Sequence, residues 1–196
     1  MIVAVIQARM GSSRLPGKVL KEICGQPMLW HQLQRVKLAK SLDKIIVATS
    51  DKPEDKPITE VANQAGVSFT TGSENDVLDR YYQAVKDTGA TAIVRLTGDC
   101  PLIDPAVIDQ VVAEFTTRQD SLDHLCLSPK WPEGLDTEIV SFEALSRAWH
   151  EAEKKYEREH VTPYVTISGK FRVSRLPCTP DLSYLRLTVD EPIDFE

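Results

Sequence analysis

The stretch that decides the fold is Ile2-Val3-Ala4-Val5-Ile6-Gln7-Ala8-Arg9-Met10-Gly11-Ser12-Ser13-Arg14-Leu15-Pro16-Gly17-Lys18. Its first five residues form a near-continuous apolar run, the pattern of a strand buried on both faces of a sheet. A polar loop with two glycines follows directly. In an open parallel sheet, ligands bind beyond the carboxyl ends of the strands. Glycines permit close backbone approach, and successive N–H groups can form an anion-binding nest. Arg9, Arg14 and Lys18 add positive charge within ten positions. Arginine grips phosphate oxygens in pairs and lysine acts as a point charge, so the loop suits a triphosphate. Taken alone, it also reads as a solvated basic turn. A Walker A loop is excluded, because five residues separate Gly11 from Gly17 and Val19 follows Lys18. No GxGxxG fingerprint is present either.

Outward from this segment, strand and helix signals alternate. Strands are expected at Lys44–Thr49, Val67–Thr70 and Ala92–Leu96. Helices are expected from Pro27, with Leu29, Trp30, Leu33 and Val36 on one face, from Pro57 to Ala65, over Val77–Asp87, and from Pro105 to Thr117 behind an Asp104 cap. Such alternation implies right-handed crossovers and an α/β fold whose mostly parallel sheet is covered on both sides. Beyond about residue 120 the pattern changes. Short strand-like pieces at Leu125–Ser128 and Glu138–Val140 flank a turn-rich stretch, Pro129–Gly134. Ser141 caps a long helix to Lys155, and a second helical stretch spans Glu157–Ser168, bent at Pro163. Phe171–Leu176 and Leu185–Val189 read as late strands. No repeat or linker interrupts the chain, which reads as a single domain, 1–196.

Composition excludes several classes. The 196 residues carry 23 Lys plus Arg against 29 Asp plus Glu, a net charge of −6. An acidic chain lacks the cations that replace phosphate counterions, so no nucleic-acid partner is expected. No apolar run approaches the roughly 20 residues of a membrane span, and none resembles a signal peptide. Cys24, Cys100, Cys126 and Cys178 are far apart with no CxxC pair, so reduced thiols and a cytoplasmic location are expected.

Two further segments share one design. Arg95-Leu96-Thr97-Gly98-Asp99-Cys100-Pro101 and Arg186-Leu187-Thr188-Val189-Asp190-Glu191-Pro192 each end a strand in Asp before a Pro-bearing turn. Mg²⁺ takes one or two carboxylates plus substrate phosphates, so Asp99 and Asp190 are candidate ligands. Each also reads as a turn-capping Asp. Cys100 has no evident chemical role and reads as a small buried residue.

Together these pieces resemble the cytidylyltransferases that make CMP-activated acid sugars, such as CMP-ketodeoxyoctonate synthetase and acylneuraminate cytidylyltransferase. They are most similar to the branch of spore-coat polysaccharide biosynthesis F-like proteins. The resemblance rests on IQARMGSSRLPGKVL (6–20), TGSENDVLDRYYQA (71–84), VRLTGDCPLIDP (94–105), EREHVTPYV (157–165) and RLTVDEPIDF (186–195). It implies a three-layer Rossmann-like nucleotidyltransferase fold, a homodimer, CTP as substrate and Mg²⁺ as cofactor. It implies transfer of CMP to an acidic sugar with release of pyrophosphate. By resemblance, Ala8, Arg9, Met10, Gly11, Ser12, Ser13, Arg14 and Lys18 hold the nucleotide, with Arg9, Ser13, Arg14 and Lys18 on the triphosphate. Gly72, Ser73 and Asp79 lie near it. Arg9, Lys18 and Asp99 are the catalytic candidates, and Asp99 and Asp190 bind the metal. Arg95, Asp136, Glu138, His160 and Tyr164 are candidates for the sugar. His160 reads equally as a surface histidine, and Asp136 and Glu138 read rather as part of an edge strand. Family chains continue past the final aspartate, so a chain ending at Glu196 is expected to be shortened. Two other functions stay open: a nucleotidyltransferase for another NTP and a sugar phosphate, and a catalytically silent binding module.

Overall fold

The computed structural model describes all residues 1–196. β1 (Ile2–Gln7) lies at the centre, with Val3 to Ile6 fully buried. A 3₁₀ turn (Lys18–Leu20) and a small hairpin of β2 (Glu22–Ile23) and β3 (Gln26–Pro27) lead into α1 (Met28–Val36). Then follow β4 (Lys44–Ser50), α2 (Lys56–Gln64), β5 (Ser68–Gly72), α3 (Val77–Val85), β6 (Ala92–Thr97) and α4 (Pro105–Thr117). The later elements are β7 (His124–Leu127), β8 (Glu138–Ser141), α5 (Phe142–Glu151), α6 (Lys155–His160), α7 (Pro163–Ile167), β9 (Val173–Leu176) and α8 (Pro192–Phe195).

Seven strands form one sheet in the order β5-β4-β1-β6-β8-β7-β9. The pairs β1–β4, β1–β6, β4–β5 and β7–β9 are parallel, while β8 runs antiparallel to β6 and β7. Alternation along β1 separates two cores. Ala4 and Ile6 enter one with α1, α2 and α4; Val3 and Val5 enter the other with α3, α5 and α7. Each such buried Val or Ile contributes about 1.5–3 kcal/mol relative to exposure, so the strand that carries the basic loop is firmly anchored. This is the expected three-layer α/β architecture. The Asp104 cap is present, its carboxylate accepting the Ala106 N–H at 2.9 Å. No helix is long and apolar enough to cross a membrane.

The later half departs from expectation at several points. Ser141 does cap α5, but the helix stops at Glu151 rather than Lys155. Arg158 causes the stop from outside, donating to the Trp149 and Ala152 carbonyls at 2.7 and 3.4 Å. The stretch Glu157–Ser168 is two helices rather than one bent helix. Val161, at φ 72°, breaks it, and Pro163 opens α7. Leu185–Val189 is not a strand. It crosses the end of the sheet and makes one isolated parallel bridge, Glu133 N–H to Leu185 O at 3.1 Å and Leu187 N–H to Glu133 O at 2.7 Å, besides Val189 N–H to Asp99 O at 2.8 Å. Glu138 is not on an edge, because β8 lies between β6 and β7.

The Leu185–Val189 crossing depends on Gly134. At φ 99°, a Cβ there would lie 2.4 Å from the Leu187 carbonyl carbon and the Thr188 nitrogen. Backbone cannot yield as a side chain can. Gly134→Ala is therefore expected to cost at least about 2 kcal/mol and to expose the segment after Asp181 to proteolysis. Urea unfolding and limited proteolysis check this; wild-type stability in the variant would contradict the close approach.

Candidate active site

The basic loop is built around one carbonyl. Met10 O accepts the N–H groups of Ser12 at 2.8 Å and Gly17 at 3.0 Å. Gly17 reaches it at φ 69°, a conformation that suits glycine. Met10 N–H donates at 2.6 Å to Asp55, which is 2 % exposed and also accepts the Ser50 hydroxyl. Leu15 is buried and pins the loop to the core. The N–H groups of Gly11, Ser13 and Arg14 are left without a partner in the chain. Rigid closure with free N–H groups is what an anion nest requires.

Lys18 does not project freely from this loop, as a solvated cation would. It is 9 % exposed, and its Nζ donates to Val189 O at 2.9 Å and Asp190 Oδ1 at 2.7 Å. It also lies 3.6 Å from Asp99 Oδ2. One ammonium thus joins the loop to the carboxylates of Asp99, after β6, and Asp190, near the chain end. Gly98 brings Asp99 close: its N–H donates to Gln7 O at 2.8 Å, and a Cβ there would sit 2.9 Å from that oxygen. From the far end of the chain, Thr188 Oγ1 and Val189 N–H both donate to Asp99 O, at 3.1 and 2.8 Å. Arg14 pairs with Asp190 at 3.2 Å. Asp194 accepts the N–H groups of Asp190 and Glu191 at 2.9 Å, and Arg186 holds its carboxyl well below the usual range.

Three depressions surround this hub. A cavity of about 240 Å³ is lined by Ala8, Arg9, Gly11, Ser12, Ser13, Arg14, Lys18, Asp99 and Asp190. The sequence-predicted phosphate and metal residues therefore share one site. A smaller one, about 120 Å³, lies between Arg9, Glu74 and His160. The third, about 420 Å³, is walled by Arg95, Asp99, Asp136, Glu138 and Asp190 among others.

Within the third, a charge ladder crosses adjacent strands. Arg95 on β6 pairs with Glu138 on β8, whose other oxygen lies 2.7 Å from His124 Nε2 on β7. Burial alone would raise the Glu138 carboxyl, but Arg95 and His124 outweigh it and hold its pKa at about 2. Asp136 is raised instead, by partial loss of solvent and then by its neighbour Asp99. Cys100 is raised well above the usual thiol value by burial and Asp99, so it stays a neutral thiol and offers no nucleophile.

Not every predicted residue arrives. Met10 contributes its backbone while its side chain packs on the core. Gly72 ends β5 and Ser73 O accepts Arg80 at 3.0 Å, and neither lines the three depressions. Asp79 faces α5, accepting the Trp149 indole N–H at 2.8 Å. Tyr164 is buried in the second core, its hydroxyl donating to Glu151 at 2.5 Å, away from all three depressions. Sequence reasoning missed Asp55, although a carboxylate just after a strand end was a usable signal. It also missed Gln7, which lines two depressions and accepts Arg95 at 3.3 Å.

Asp99 and Asp190 form an open pair, and no group of three or more metal-ligating side chains forms in the chain. Such a pair fits an ion that completes its shell with phosphate oxygens and water, as Mg²⁺ does.

Comparison with known proteins gives one family. The sequence profile described as cytidylyltransferase matches residues 3–188. The chain is 33% identical over 205 residues to the spore coat polysaccharide biosynthesis protein SpsF of Bacillus subtilis, covering 100% of this chain and 83% of that one. It is 38% identical over 116 residues to a 3-deoxy-manno-octulosonate cytidylyltransferase of Trichlorobacter lovleyi, covering 58% of this chain and 44% of that one. A solved cytidylyltransferase from Leptospira borgpetersenii superposes with a TM-score of 0.94 at 37% identity, covering 100% of this chain and 83% of that one.

The charge ladder carries its own test. A carboxyl depressed from 4.5 to about 2 stabilises the fold fully above its unfolded value, and that stabilisation is lost as pH falls toward 2. Glu138→Gln leaves Arg95 buried without a counter-charge and is expected to cost about 3 kcal/mol at pH 7. Urea midpoints from neutral to acid pH should fall less steeply in the variant than in wild type. Parallel pH profiles would contradict the pairing.

Proposed function

The chain belongs to the cytidylyltransferase family and is a CTP-using nucleotidyltransferase, and on that premise we propose that it transfers CMP from CTP to a hydroxyl of an acidic sugar, releasing pyrophosphate, in assembly of a surface polysaccharide or glycoconjugate. One observation carries this reading: the Lys18 ammonium sits between Asp99 and Asp190 at the mouth of a closed loop with free N–H groups.

The roles follow from placement. The loop N–H groups, Arg9 and Arg14 take the β- and γ-phosphates and neutralise the departing pyrophosphate. Arg9 is free to do so, since its ion pair with Glu74 is long, at 3.6 Å, and exposed. Lys18 holds Asp99 and Asp190 at one point and balances their charge. When bound there, Mg²⁺ would supply Lewis acidity at the α-phosphate. The acceptor hydroxyl gives up its proton to solvent and its oxygen bonds to the α-phosphorus as the bond to pyrophosphate breaks. No side-chain nucleophile is needed, because transfer of this kind rests on positioning and charge neutralisation. The 420 Å³ cavity beside Asp99 is the acceptor side, and the small depression at Arg9 and His160 adjoins the nucleotide side. Asp79 and Tyr164 take no part.

Pyrophosphate release with CTP, Mg²⁺ and a panel of sugar acids tests the reading. Turnover with CTP is expected to exceed that with UTP, GTP or dTTP. Asp99→Asn should cut it on the order of 10²-fold or more, in line with other preorganised electrostatic sites. Near-normal turnover in the folded variant, or preference for another nucleotide, would overturn it.

A further inference from the structure

The candidate metal ligands Asp99 and Asp190 already share a cation. Lys18 Nζ donates to Asp190 Oδ1 at 2.7 Å and lies 3.6 Å from Asp99 Oδ2. Arg14 adds a second cation to that same Asp190 oxygen, at 3.2 Å. The two differ in how they are held. Arg14 is exposed, whereas Lys18 is buried and also donates to Val189 O at 2.9 Å. That carbonyl keeps the ammonium at the junction without help from either carboxylate. The acids are anchored as well. Thr188 Oγ1 and Val189 N–H donate to Asp99 O, and Asp194 accepts the Asp190 N–H. Backbone anchors on all three residues leave the two acids little room to draw away from Nζ and take up another cation.

An ammonium and a divalent ion compete for the same oxygens. Mg²⁺ gives up its water reluctantly. It gains less from a carboxylate already bonded to a cation, and a fixed positive charge beside it repels it. We propose that Lys18 is the resident counter-ion of the metal position: it keeps a divalent ion from binding alone and makes metal binding conditional on a bound triphosphate. The proposal rests on the CTP-using reading and concerns the regulation of that same site. The loop, Arg14, Lys18 and both aspartates line one cavity of about 240 Å³, so phosphate oxygens placed there come within reach of both cations. Nζ keeps its bond to Val189 O and passes the other from Asp190 to a phosphate oxygen, and Arg14 does likewise. Asp99 and Asp190 are thereby released to the ion as the phosphates arrive. Linkage makes the effect reciprocal: the ion tightens nucleotide binding by the same factor as the nucleotide tightens ion binding.

Mn²⁺ alone, followed by the paramagnetic resonance of the free ion, tests this without turnover. In the absence of nucleotide, Lys18→Met is expected to bind Mn²⁺ about tenfold or more tightly than wild type, the scale of coupling between linked sites. Lys18→Gln removes the charge but keeps a donor, and the same gain is expected. Adding Asp99→Asn to Lys18→Met should return the affinity to the wild-type level. Should both single variants unfold, excess Mn²⁺ is expected to restore their far-ultraviolet circular dichroism, and failure to do so counts against the proposal. Wild type that binds Mn²⁺ as tightly as Lys18→Met, or a gain that survives Asp99→Asn, would overturn it. CTP binding by wild type is measured separately by calorimetry. CTP binding with no gain in Mn²⁺ affinity removes only this role of Lys18; absence of CTP binding by the folded protein removes the underlying reading and this inference with it.

Discussion

The Lys18 ammonium is buried at a junction of three chain segments, and the site exists because of that junction. A charge held at 9 % exposure is tolerated only when its hydrogen bonds are taken up. Here the acceptors are Val189 O and Asp190, with Asp99 close by, so loop, central strand and chain end must arrive together. The requirement runs in both directions. Asp99 and Asp190 repel one another unless a cation stands between them. Lys18 supplies that cation and holds both carboxylates beside the loop.

Other features of the carboxyl end of the sheet serve the same convergence. Gly98 lets β6 approach β1, and Gly134 lets the Leu187–Thr188 backbone pass over the sheet's end. Asp55 fixes the loop entrance, while Asp194 and Arg186 fix the turn that carries Asp190. These contacts are polar and local, whereas the anchoring of the strands is apolar and shared between two cores. The candidate site is thus built from short polar segments set on a stiff apolar base.

In the first half of the fold β1, β4 and β6 were legible as apolar runs and α1, α2 and α4 by an opening proline, whereas the two-residue strands of the β2–β3 hairpin are too short to leave a pattern. The loop was legible by composition, and the Asp99 turn by its position after β6. What the sequence could not show was anything decided by distant partners. Lys18 and Asp190 are 172 positions apart, so no window reveals that the lysine is buried. Arg158 ends α5 from outside the helix, and Ala152, Glu153 and Lys154 do not look like a stop on their own. Leu185–Val189 has the composition of a strand but finds only a single bridge, at Glu133, and Tyr164 and Asp79 belong to motif stretches whose side chains turn toward α5.

The most direct measurement is a crystal structure of the protein with CTP and Mg²⁺. The triphosphate should lie on the N–H groups of Gly11, Ser13 and Arg14, with the ion between Asp99 and Asp190 and Lys18 still beside them. A nucleotide bound at any other surface, or an ion that touches neither carboxylate, would contradict the account.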